Sequence, residues 1–337
     1  MHAAMHHAVV IVPVAAAAAL LYSRLVASNL GPGIGRLLAL SPVLALLLKL
    51  PFAIPLYGAR GTAAFFLVWL GEFKLLLLAS GRGPDPSLPP LQFVFSAALP
   101  VKLIREPPSD DAVVAKRESV PIMSMAIRFA VMTVAIFYLL RRKNELQVYT
   151  AFTLYAVVTY CFLDFVLPCI AAVGGALSME LEPQFDRPYL SASLQDFWGR
   201  RWNLTASAVL RPAVYDPVKA RLGAPAGVLA TFLVSGLMHE VVAYYISFRA
   251  PTGQVTAFFA LHGVCVCAER CCALRCTWRP PRFVATLLVV GFVAVTAFWL
   301  FFPAIFGGGL DDIFLAEFGA LGSAFVGLGR RLLGHRH

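Results

Sequence analysis

The sequence predicts an all-α, polytopic membrane protein with about eight or nine transmembrane helices and one amphipathic helix at the membrane interface. Of its 337 residues, 59% are hydrophobic and only 14% are charged. So little polar surface cannot cover a soluble globule of this size. The apolar residues are also gathered into long runs, and a helix needs about 20 such residues to cross a bilayer.

The apolar runs divide the chain into predicted spans. Runs long enough to cross, or nearly so, lie at about 8–28, 36–57, 62–80, 120–140, 147–174, 225–248, 254–274 and 283–306, and a shorter one lies near 91–104. The first run lacks the cationic start of a signal peptide, so we expect a retained helix. No internal repeat or coiled-coil heptad is present, and we expect one membrane-embedded domain over 1–337.

The net charge of +10 is scattered over short connections instead of forming one basic stripe. Examples are 141–145 ("RRKNE") and the tail 329–337 ("GRRLLGHRH"). Positive residues favour the cytosolic side of a membrane, so we expect both segments there. Without a basic stripe interleaved with aromatics, the pattern argues against a nucleic-acid partner.

Five of the seven cysteines lie in "CVCAERCCALRC" at 265–276. Cys267 and Cys271, like Cys272 and Cys276, are one helical turn apart, which resembles a metal-binding arrangement. There is no C-x-x-C pair, however, and the run lies beside two arginines at a predicted membrane edge. We therefore expect membrane cysteines or acylation sites, and no metal site or disulfide framework.

Two polar connections separate the spans. The first, 105–118, is balanced in charge and punctuated by proline, and we expect an ordinary solvated loop. The second, 176–224, mixes charges with large aromatics in a way that a simple linker does not need. We expect this surface loop to be ordered and to carry part of a functional site.

One helix is predicted within the second connection. Ser193 and Asp196 have the spacing of a capping box, and Arg211 before Pro212 is a natural helix stop. These signals predict a single helix over 194–210.

The predicted helix is amphipathic. Its apolar side carries Leu194, Phe197, Trp198, Trp202 and Val209, and its polar side carries Asp196, Arg200, Asn203 and Ser207. This pattern is typical of a helix that lies in the membrane surface with its tryptophans at headgroup depth. Spacing alone leaves two alternatives open: a surface anchor whose polar side is only hydrated, and a helix whose polar side forms a site.

An ionisable pair stands within the apolar stretch "LVSGLMHEVVAYY" at 233–245. A charged side chain at the centre of a span costs about 2.5–3.5 kcal/mol, so such residues usually face a cavity or a partner. A neutral His239 retains a nitrogen that can accept a proton, although a hydrogen-bonding strut between helices is the alternative. Glu240 lies about 100° away around the helix, and we expect it to pair with another helix.

Small residues share the helix face of His239, namely Ser235, Gly236 and Ala243. They permit either close helix packing or a tunnel for a thin apolar substrate. "HEVVA" resembles a zinc-protease motif but has Ala243 where the second histidine ligand is needed. Neither the G-x-S-x-G elbow of serine hydrolases nor a nucleotide-binding P-loop is present. Lys74 is expected to snorkel from the start of its helix.

Several segments resemble the wax synthase branch of the membrane-bound O-acyltransferases, as found in plants. The resemblance rests on "PYLSASLQDFWGRRWNLTASAVLRPAVYDPV" at 188–218, followed by His239 in "FLVSGLMHE", 36 residues beyond Asn203. The segments at 73–103 and 258–263 ("FFALHG") are similar as well. The combination of F-W-x-x-x-W-N with an intramembrane histidine is specific, and the similarity extends from about 60 to the early 270s.

The resemblance implies a membrane-bound O-acyltransferase fold and transfer of a fatty acyl group from acyl-CoA to a hydroxyl. It implies a catalytic pair, which falls on His239 and Asn203. Asn203 would then lie on the cytosolic side, where acyl-CoA is available. Other candidate substrate-binding residues are Trp198, Trp202, Arg200, Arg201, Glu240 and His262. His262 is equally well interpreted as a helix-packing residue, and the arginines could bind coenzyme A phosphates or lipid headgroups.

The expected reaction joins a long-chain alcohol to the acyl group and needs no cofactor beyond acyl-CoA as co-substrate. Sterols and diacylglycerols are alternative acceptors, because each is an apolar molecule with one hydroxyl. A proton-coupled transporter is the alternative of another class, but it would show duplicated, broken spans in both halves. We expect a multi-pass protein of the endoplasmic reticulum membrane, for which homo-oligomerisation stays open.

Overall fold

The computed structural model describes residues 2–104, 122–275 and 280–334, and helices account for most of them. The α-helices are α1 (His2–Asn29), α2 (Ile34–Lys49), α3 (Tyr57–Ala63), α4 (Glu72–Ala79), α5 (Pro90–Ala98), α6 (Ile122–Arg142), α7 (Val148–Ala176), α8 (Leu194–Asp196), α9 (Leu204–Leu210), α10 (Asp216–Leu222), α11 (Ala224–Ser247), α12 (Gln254–Arg275), α13 (Arg282–Thr296), α14 (Phe302–Phe306) and α15 (Leu310–Gly334). Wider π-helical turns cover Ala64–Gly71, Phe197–Arg201, Arg211–Tyr215 and Ala297–Phe301, and 3₁₀ turns cover Leu50–Ala53, Lys143–Glu145 and Pro188–Leu190. The predicted loop 105–118 and Cys276 lie outside the described residues.

Seven of the predicted runs form helices that are long and apolar enough to cross a membrane. Within the described residues these spans are Val10–Asn29, Ile34–Ala53, Tyr57–Ala79, Val148–Ala176, Ala224–Ser247, Gln254–Ala273 and Arg282–Phe306. The predicted class of a polytopic all-α membrane protein is therefore confirmed. The run near 91–104 is not a span, because α5 has nine residues and reaches only about 13 Å.

Helix α6 occupies the run at 120–140 and packs against α7. An ion pair joins the two helices, with Nε of Arg128 and Oδ2 of Asp164 3.1 Å apart. At the end of α6, Lys143 forms salt bridges to Asp311 at 2.7 Å and to Asp312 at 2.6 Å in the first turn of α15. Arg128 in α6 and Lys143 at its end are thus both paired, as the cost of an unpaired charge in lipid favours.

Helix α7 separates two segments that the sequence predicted on the same, cytosolic side. The basic connection 141–145 precedes α7, whereas the segment with Asn203 follows it. A single crossing puts the two ends of a span on opposite sides of the membrane. The two expectations are therefore mutually exclusive, and one of them is wrong.

Lys74 does not snorkel as predicted, because its side chain is only 6% exposed. Its ammonium group donates hydrogen bonds to the carbonyl oxygens of Ser96 at 2.7 Å and Leu99 at 2.5 Å. These carbonyls belong to the C-terminal end of α5, where helix carbonyls lack partners within the helix. Lys74 thereby joins α4 to the chain that follows α5.

Candidate active site

The predicted helix over 194–210 is broken in the middle. It begins as expected, because Ser193 Oγ accepts a hydrogen bond from the backbone N–H of Asp196 at 2.9 Å. A π-helical turn then ends at Trp202, whose backbone is extended. Asn203 adopts the left-handed conformation with φ of 44°, and α9 starts at the next residue. Asparagine tolerates this conformation better than most residues, so the break falls at a position that accepts it.

The α-helix ends at Leu210 as predicted, with Arg211 as its C-cap, but the chain does not leave the helical conformation there. After α9, a π-helical turn carries the chain through Pro212 and directly into α10. Pro212 lies at the start of this turn, where the missing N–H costs little. A wider turn accommodates the proline, which a sequence rule for α-helices does not foresee.

The break places Asn203 at the N-cap of α9. Its Oδ1 accepts a hydrogen bond from the backbone N–H of Ala206 at 3.2 Å. The amide oxygen is thus occupied, whereas no hydrogen bond from Nδ2 is found within the described part of the chain. The Nδ2 group therefore remains available as a donor to a ligand.

Buried polar contacts fix the chain on both sides of this cap. Gln184 accepts hydrogen bonds from the N–H of Leu204 through its backbone oxygen and from the N–H of Thr205 through its side chain, both at 3.0 Å. The hydroxyl of Thr205 donates to the carbonyl of Pro100 at 3.2 Å. The position of Asn203 is therefore set by segments distant in sequence.

His239 lies within α11, and its tautomer follows from one contact. Its Nδ1 lies 2.7 Å from the carbonyl oxygen of Ser235, one turn earlier. A carbonyl cannot donate, so Nδ1 must carry the proton. In the neutral ring the other nitrogen, Nε2, is then unprotonated, and it has no hydrogen-bond partner among the described residues. The arrangement leaves a neutral imidazole with a free basic nitrogen.

Aromatic rings surround this imidazole. Phe259 of α12 stacks on it with centroids 4.4 Å apart, and Trp69 contacts it edge-on at 4.5 Å. Phe301 approaches at 6.1 Å. His239 nevertheless keeps some accessible surface. It is therefore a partly accessible base inside an apolar chamber, which is the environment that an apolar substrate requires.

Packing joins the two members of the predicted catalytic pair. Trp69 lies in one hydrophobic cluster with Ala206, Val209 and Leu210 of α9. The same indole contacts the ring of His239. Both members are described, and no hydrogen bond joins them directly. The structure thus places Trp69 between the helix that Asn203 caps and the imidazole.

Trp198 and His262 form a saturated hydrogen-bond chain. The indole N–H of Trp198 donates to Nδ1 of His262 at 3.0 Å, so the proton of His262 is on Nε2. That nitrogen donates to the hydroxyl of Thr296 at 2.9 Å, and Thr296 donates to the carbonyl of Phe292 at 2.7 Å. Both nitrogens of His262 are occupied, which favours the helix-packing interpretation over a catalytic one.

The amphipathic pattern predicted that the two tryptophans face the membrane surface. In the structure they pack against other side chains of the protein instead. Trp198 contacts Phe232 of α11 and Phe259 of α12. Trp202 stacks on Phe197 with centroids 5.6 Å apart. Their rings pack against other aromatic side chains of the protein.

The two arginines have different surroundings. Arg201 pairs with Asp196 at 2.8 Å and donates to the backbone oxygen of Asp186 at 3.0 Å, so its charge is used within the segment. Arg200 is exposed and makes no ion pair among the described residues. Of the two, Arg200 is the one with a free guanidinium for a phosphate group.

Glu240 pairs with another helix, as its position on α11 predicts. Its Oε1 accepts hydrogen bonds from the backbone N–H groups of Val255 at 3.0 Å and Thr256 at 3.2 Å, at the start of α12. A carboxylate at a helix N-terminus accepts hydrogen bonds from N–H groups that lack partners within the helix, and its negative charge interacts favourably with the helix dipole. The residue beside His239 therefore fixes the helix that carries Phe259.

The small residues near His239 serve close packing at Gly236. A Cβ atom built on Gly236 would lie 2.8 Å from the Cα of Thr256, a distance that real contacts do not reach. Helices α11 and α12 therefore approach each other through this glycine. Of the two alternatives that the sequence left open, close packing describes this position.

No group of three or more histidine, cysteine or acidic side chains that could hold a metal is found within residues 2–104, 122–275 and 280–334. The described cysteines are free, with Cys271 and Cys272 exposed near the end of α12. Cys265 and Cys267 are partly buried in the same helix.

Sequence reasoning missed Trp69, Phe259 and Gln184. Trp69 lies far from the motif at 188–218, and apolar spans hold many aromatics that only pack. "FFALHG" did mark the segment with Phe259, although it pointed to His262 instead. For Gln184, no signal distinguished it from the other polar residues of its loop.

Comparisons with known proteins agree with this geometry. A model described as "Membrane bound O-acyl transferase family" matches residues 181–261, which include both Asn203 and His239. The long-chain-alcohol O-fatty-acyltransferase of Simmondsia chinensis is 39% identical over 296 residues, covering 82% of this chain and 83% of that protein. The Arabidopsis thaliana protein named "Probable long-chain-alcohol O-fatty-acyltransferase 1" is 38% identical over 318 residues, covering 90% and 92%.

A third relative carries another acceptor in its name. The acyl-CoA–sterol O-acyltransferase 1 of Arabidopsis thaliana is 36% identical over 332 residues, covering 93% of this chain and 94% of that protein. These similarities extend over nearly the whole chain. Together with the family model, they show that the protein belongs to the membrane-bound O-acyltransferase family.

Proposed function

We propose that this protein transfers a fatty acyl group from acyl-CoA to the hydroxyl of a long-chain alcohol and so forms a wax ester. The observation that carries the proposal is the tautomer of His239. Its Nδ1 donates to Ser235, which leaves Nε2 as a free base inside an aromatic chamber. An apolar alcohol can reach a base only if that base lies in the apolar region with it.

In the proposed reaction, Nε2 of His239 takes the proton from the alcohol as the alcohol oxygen attacks the thioester carbonyl. The carbon–sulfur bond breaks, the ester is released, and the coenzyme A thiolate receives the proton from the imidazolium. Nδ1 keeps its hydrogen bond to the Ser235 carbonyl oxygen throughout, so the ring keeps its orientation. No covalent intermediate on the protein and no metal enters this scheme.

Asn203 is proposed to assist through its Nδ2 group. Because Oδ1 is held by the N–H of Ala206, the amide has a fixed orientation and an unused NH2 group with two N–H donors. Such a donor stabilises the negative charge that develops on the thioester oxygen. Alternatively it holds the acyl donor in line for attack.

The acyl-CoA is proposed to bind on the side of the Asn203 segment, which we take as cytosolic. The connection between α7 and α11 carries Arg187, Arg200, Arg201, Arg211, Lys219 and Arg221, whereas the connection before α7 carries Arg141, Arg142 and Lys143. The larger number of Lys and Arg residues favours the cytosolic side for the first connection, because orientation follows the positive residues and acidic residues contribute little. Arg200 is the proposed contact for the phosphates. The connection at 141–145 then faces the lumen of the endoplasmic reticulum, which is the proposed membrane.

The acceptor is proposed from the relatives. Two of the three relatives described above carry long-chain alcohol in their names, and the third carries sterol. A sterol is therefore the second candidate acceptor. Both bring one hydroxyl on an apolar body to the same base.

Two variants of Asn203 test the catalytic pair. Asn203→Asp keeps an oxygen that caps α9 and tolerates the left-handed backbone, but it removes the amide donor. Asn203→Gly keeps the backbone conformation and removes the side chain. The purified protein in lipid nanodiscs is given labelled acyl-CoA with hexadecanol, and in parallel with a sterol.

We expect both Asn203 variants to lose on the order of 10²-fold or more in kcat, and His239→Ala on the order of 10² to 10⁴. Leu237→Ala is the control, because this side chain is 50% exposed on the same helix. Near-normal turnover in well-folded His239→Ala protein would overturn the proposal. Product from the sterol alone would replace the alcohol as the acceptor.

A further inference from the structure

The indole N–H of Trp69 is a buried donor without a partner. Trp69 is 1% exposed, and its Nε1 makes no hydrogen bond within the described part of the chain. The indole nitrogen can only donate. Leaving such a group unsatisfied destabilises the fold, and most buried polar groups in native proteins have a partner. A phenylalanine would fill the same apolar site without this cost.

The location of this donor is specific. The indole contacts the ring of His239 at 4.5 Å with an interplanar angle of 67°. It also packs with Ala206, whose N–H holds the amide of Asn203. Trp69 therefore borders both the proposed base and the helix that carries the proposed amide donor.

The backbone around Trp69 is also unusual. It lies in the π-helical turn Ala64–Gly71, within an otherwise continuous membrane span. Such wide turns occur mostly as short insertions in α-helices and are frequent at functional sites. The turn changes the direction of the side chains that follow it, compared with a plain α-helix of the same sequence.

We propose that Trp69 is a catalytic residue whose indole N–H donates a hydrogen bond to the thioester carbonyl oxygen of the acyl donor. This inference rests on the proposed function of His239. As the alcohol attacks, the carbonyl oxygen gains negative charge, and Trp69 and Asn203 supply two neutral donors to it. The indole N–H is closed off from water in this structure, so a ligand oxygen must displace a neighbouring side chain to reach it. In such a water-excluded site a donor to a developing charge has its largest effect.

The test removes the N–H and keeps the ring. Trp69 is replaced by 3-benzothienylalanine, in which sulfur stands where the indole has N–H, and separately by phenylalanine. We expect kcat to fall on the order of 10²-fold in the benzothienyl protein, with little change in KM for acyl-CoA. Its thermal stability should equal or exceed that of the unmodified protein, because no orphan donor remains. Trp69→Phe should show the same loss in kcat.

Trp299→Phe is the matched control, since Trp299 is 70% exposed and should keep full activity. A benzothienyl protein with unchanged kcat would overturn the inference, whether its stability is unchanged or lower. If its stability is lower while kcat is unchanged, the N–H serves only packing, for example against the ring of Phe65, whose centroid lies 4.8 Å from that of Trp69 at an interplanar angle of 89°. His239→Ala is measured beside these variants. If it is active, the proposed function fails; if it is inactive while the benzothienyl protein is normal, only the role of Trp69 fails.

Discussion

The carboxylate of Glu240 accepts a hydrogen bond from the backbone N–H of Val255 at 3.0 Å, so the residue next to His239 caps the following helix. Glu240 is 6% exposed, and its Oε1 also accepts from Thr256. Truncation would leave two N–H groups without this acceptor in a buried place.

We expect Glu240→Ala to destabilise the protein by about 1–3 kcal/mol. Glu240→Gln should lose less stability, because its amide oxygen can still accept the hydrogen bonds from the two backbone N–H groups. The apparent melting temperature in detergent, measured by intrinsic fluorescence, should be lower for Glu240→Gln than for the unchanged protein and lowest for Glu240→Ala. Equal melting temperatures for the Ala variant and the unchanged protein would contradict the capping role.

A second prediction concerns the close approach of α11 and α12. Gly236→Ala adds a methyl group 2.8 Å from the Cα of Thr256, so the helices must separate. Because α12 carries Phe259, the stacking on His239 is disturbed as well. We expect a lower melting temperature and lower acyl-transfer activity.

The matched control for this change is Gly291→Ala, where an added Cβ meets no atom within 4 Å. Alanine favours the helix over glycine by about 0.8–1 kcal/mol, so Gly291→Ala should be neutral or stabilising. If both substitutions behave alike, the packing argument at Gly236 is wrong.

A third prediction tests the structural role of His262. Replacing His262 or Trp198 by phenylalanine removes their mutual hydrogen bond and should lower the stability of the protein. The turnover of the folded variants should fall by no more than about tenfold, which is much less than the loss expected for a catalytic base. In a double-mutant cycle the two changes should be non-additive by about 0.5–3 kcal/mol, because the residues are in contact. Loss of turnover comparable to that of His239→Ala would instead make His262 part of the chemistry.

A fourth prediction concerns the tripeptide "NLT" at 203–205, a formal N-glycosylation acceptor. Thr205 is 1% exposed, and the amide oxygen of Asn203 is engaged in the cap. We therefore expect no glycan: expression in a eukaryotic secretory system should give a protein whose mass is unchanged by an N-glycosidase. Thr205→Ala, which destroys the acceptor, and Thr205→Ser, which keeps it, should migrate alike. A glycosidase-sensitive band that Thr205→Ala removes would place the segment in the lumen.

Of the eight or nine spans that apolar run length predicted, seven are found among the described residues. The helix from Ala224 to Ser247 matches the predicted run 225–248 within one residue at each end. Such agreement is expected, because hydrocarbon provides no hydrogen bonds and forces each apolar run to satisfy its backbone as a helix. The motif around Asn203 and His239 likewise indicated the family before any geometry was known.

The segment 194–222 shows where local signals fail. The N-cap at Ser193 was predicted correctly, whereas the carboxylate of Asp196 pairs with Arg201 and does not complete a capping box. The break at Asn203 depends instead on contacts from Gln184 and Pro100, which no spacing rule within the segment contains. Likewise, the passage through Pro212 depends on a π-helical turn within a folded context.

The sequence by itself determined that this protein is an all-helical membrane acyltransferase and which histidine and asparagine to examine, since composition and short motifs are local properties. Only the tertiary structure decided that Nε2 of His239 is the free nitrogen, that Glu240 caps a helix, and that the indole of Trp69 contacts the imidazole while its N–H has no partner in the described residues. The contacts of Glu240 and Trp69 are with groups distant in sequence, and the ring of His239 lies among aromatic rings from other helices. Hydrogen bonds and ring contacts between helices are fixed by packing, and packing is a property of the whole fold.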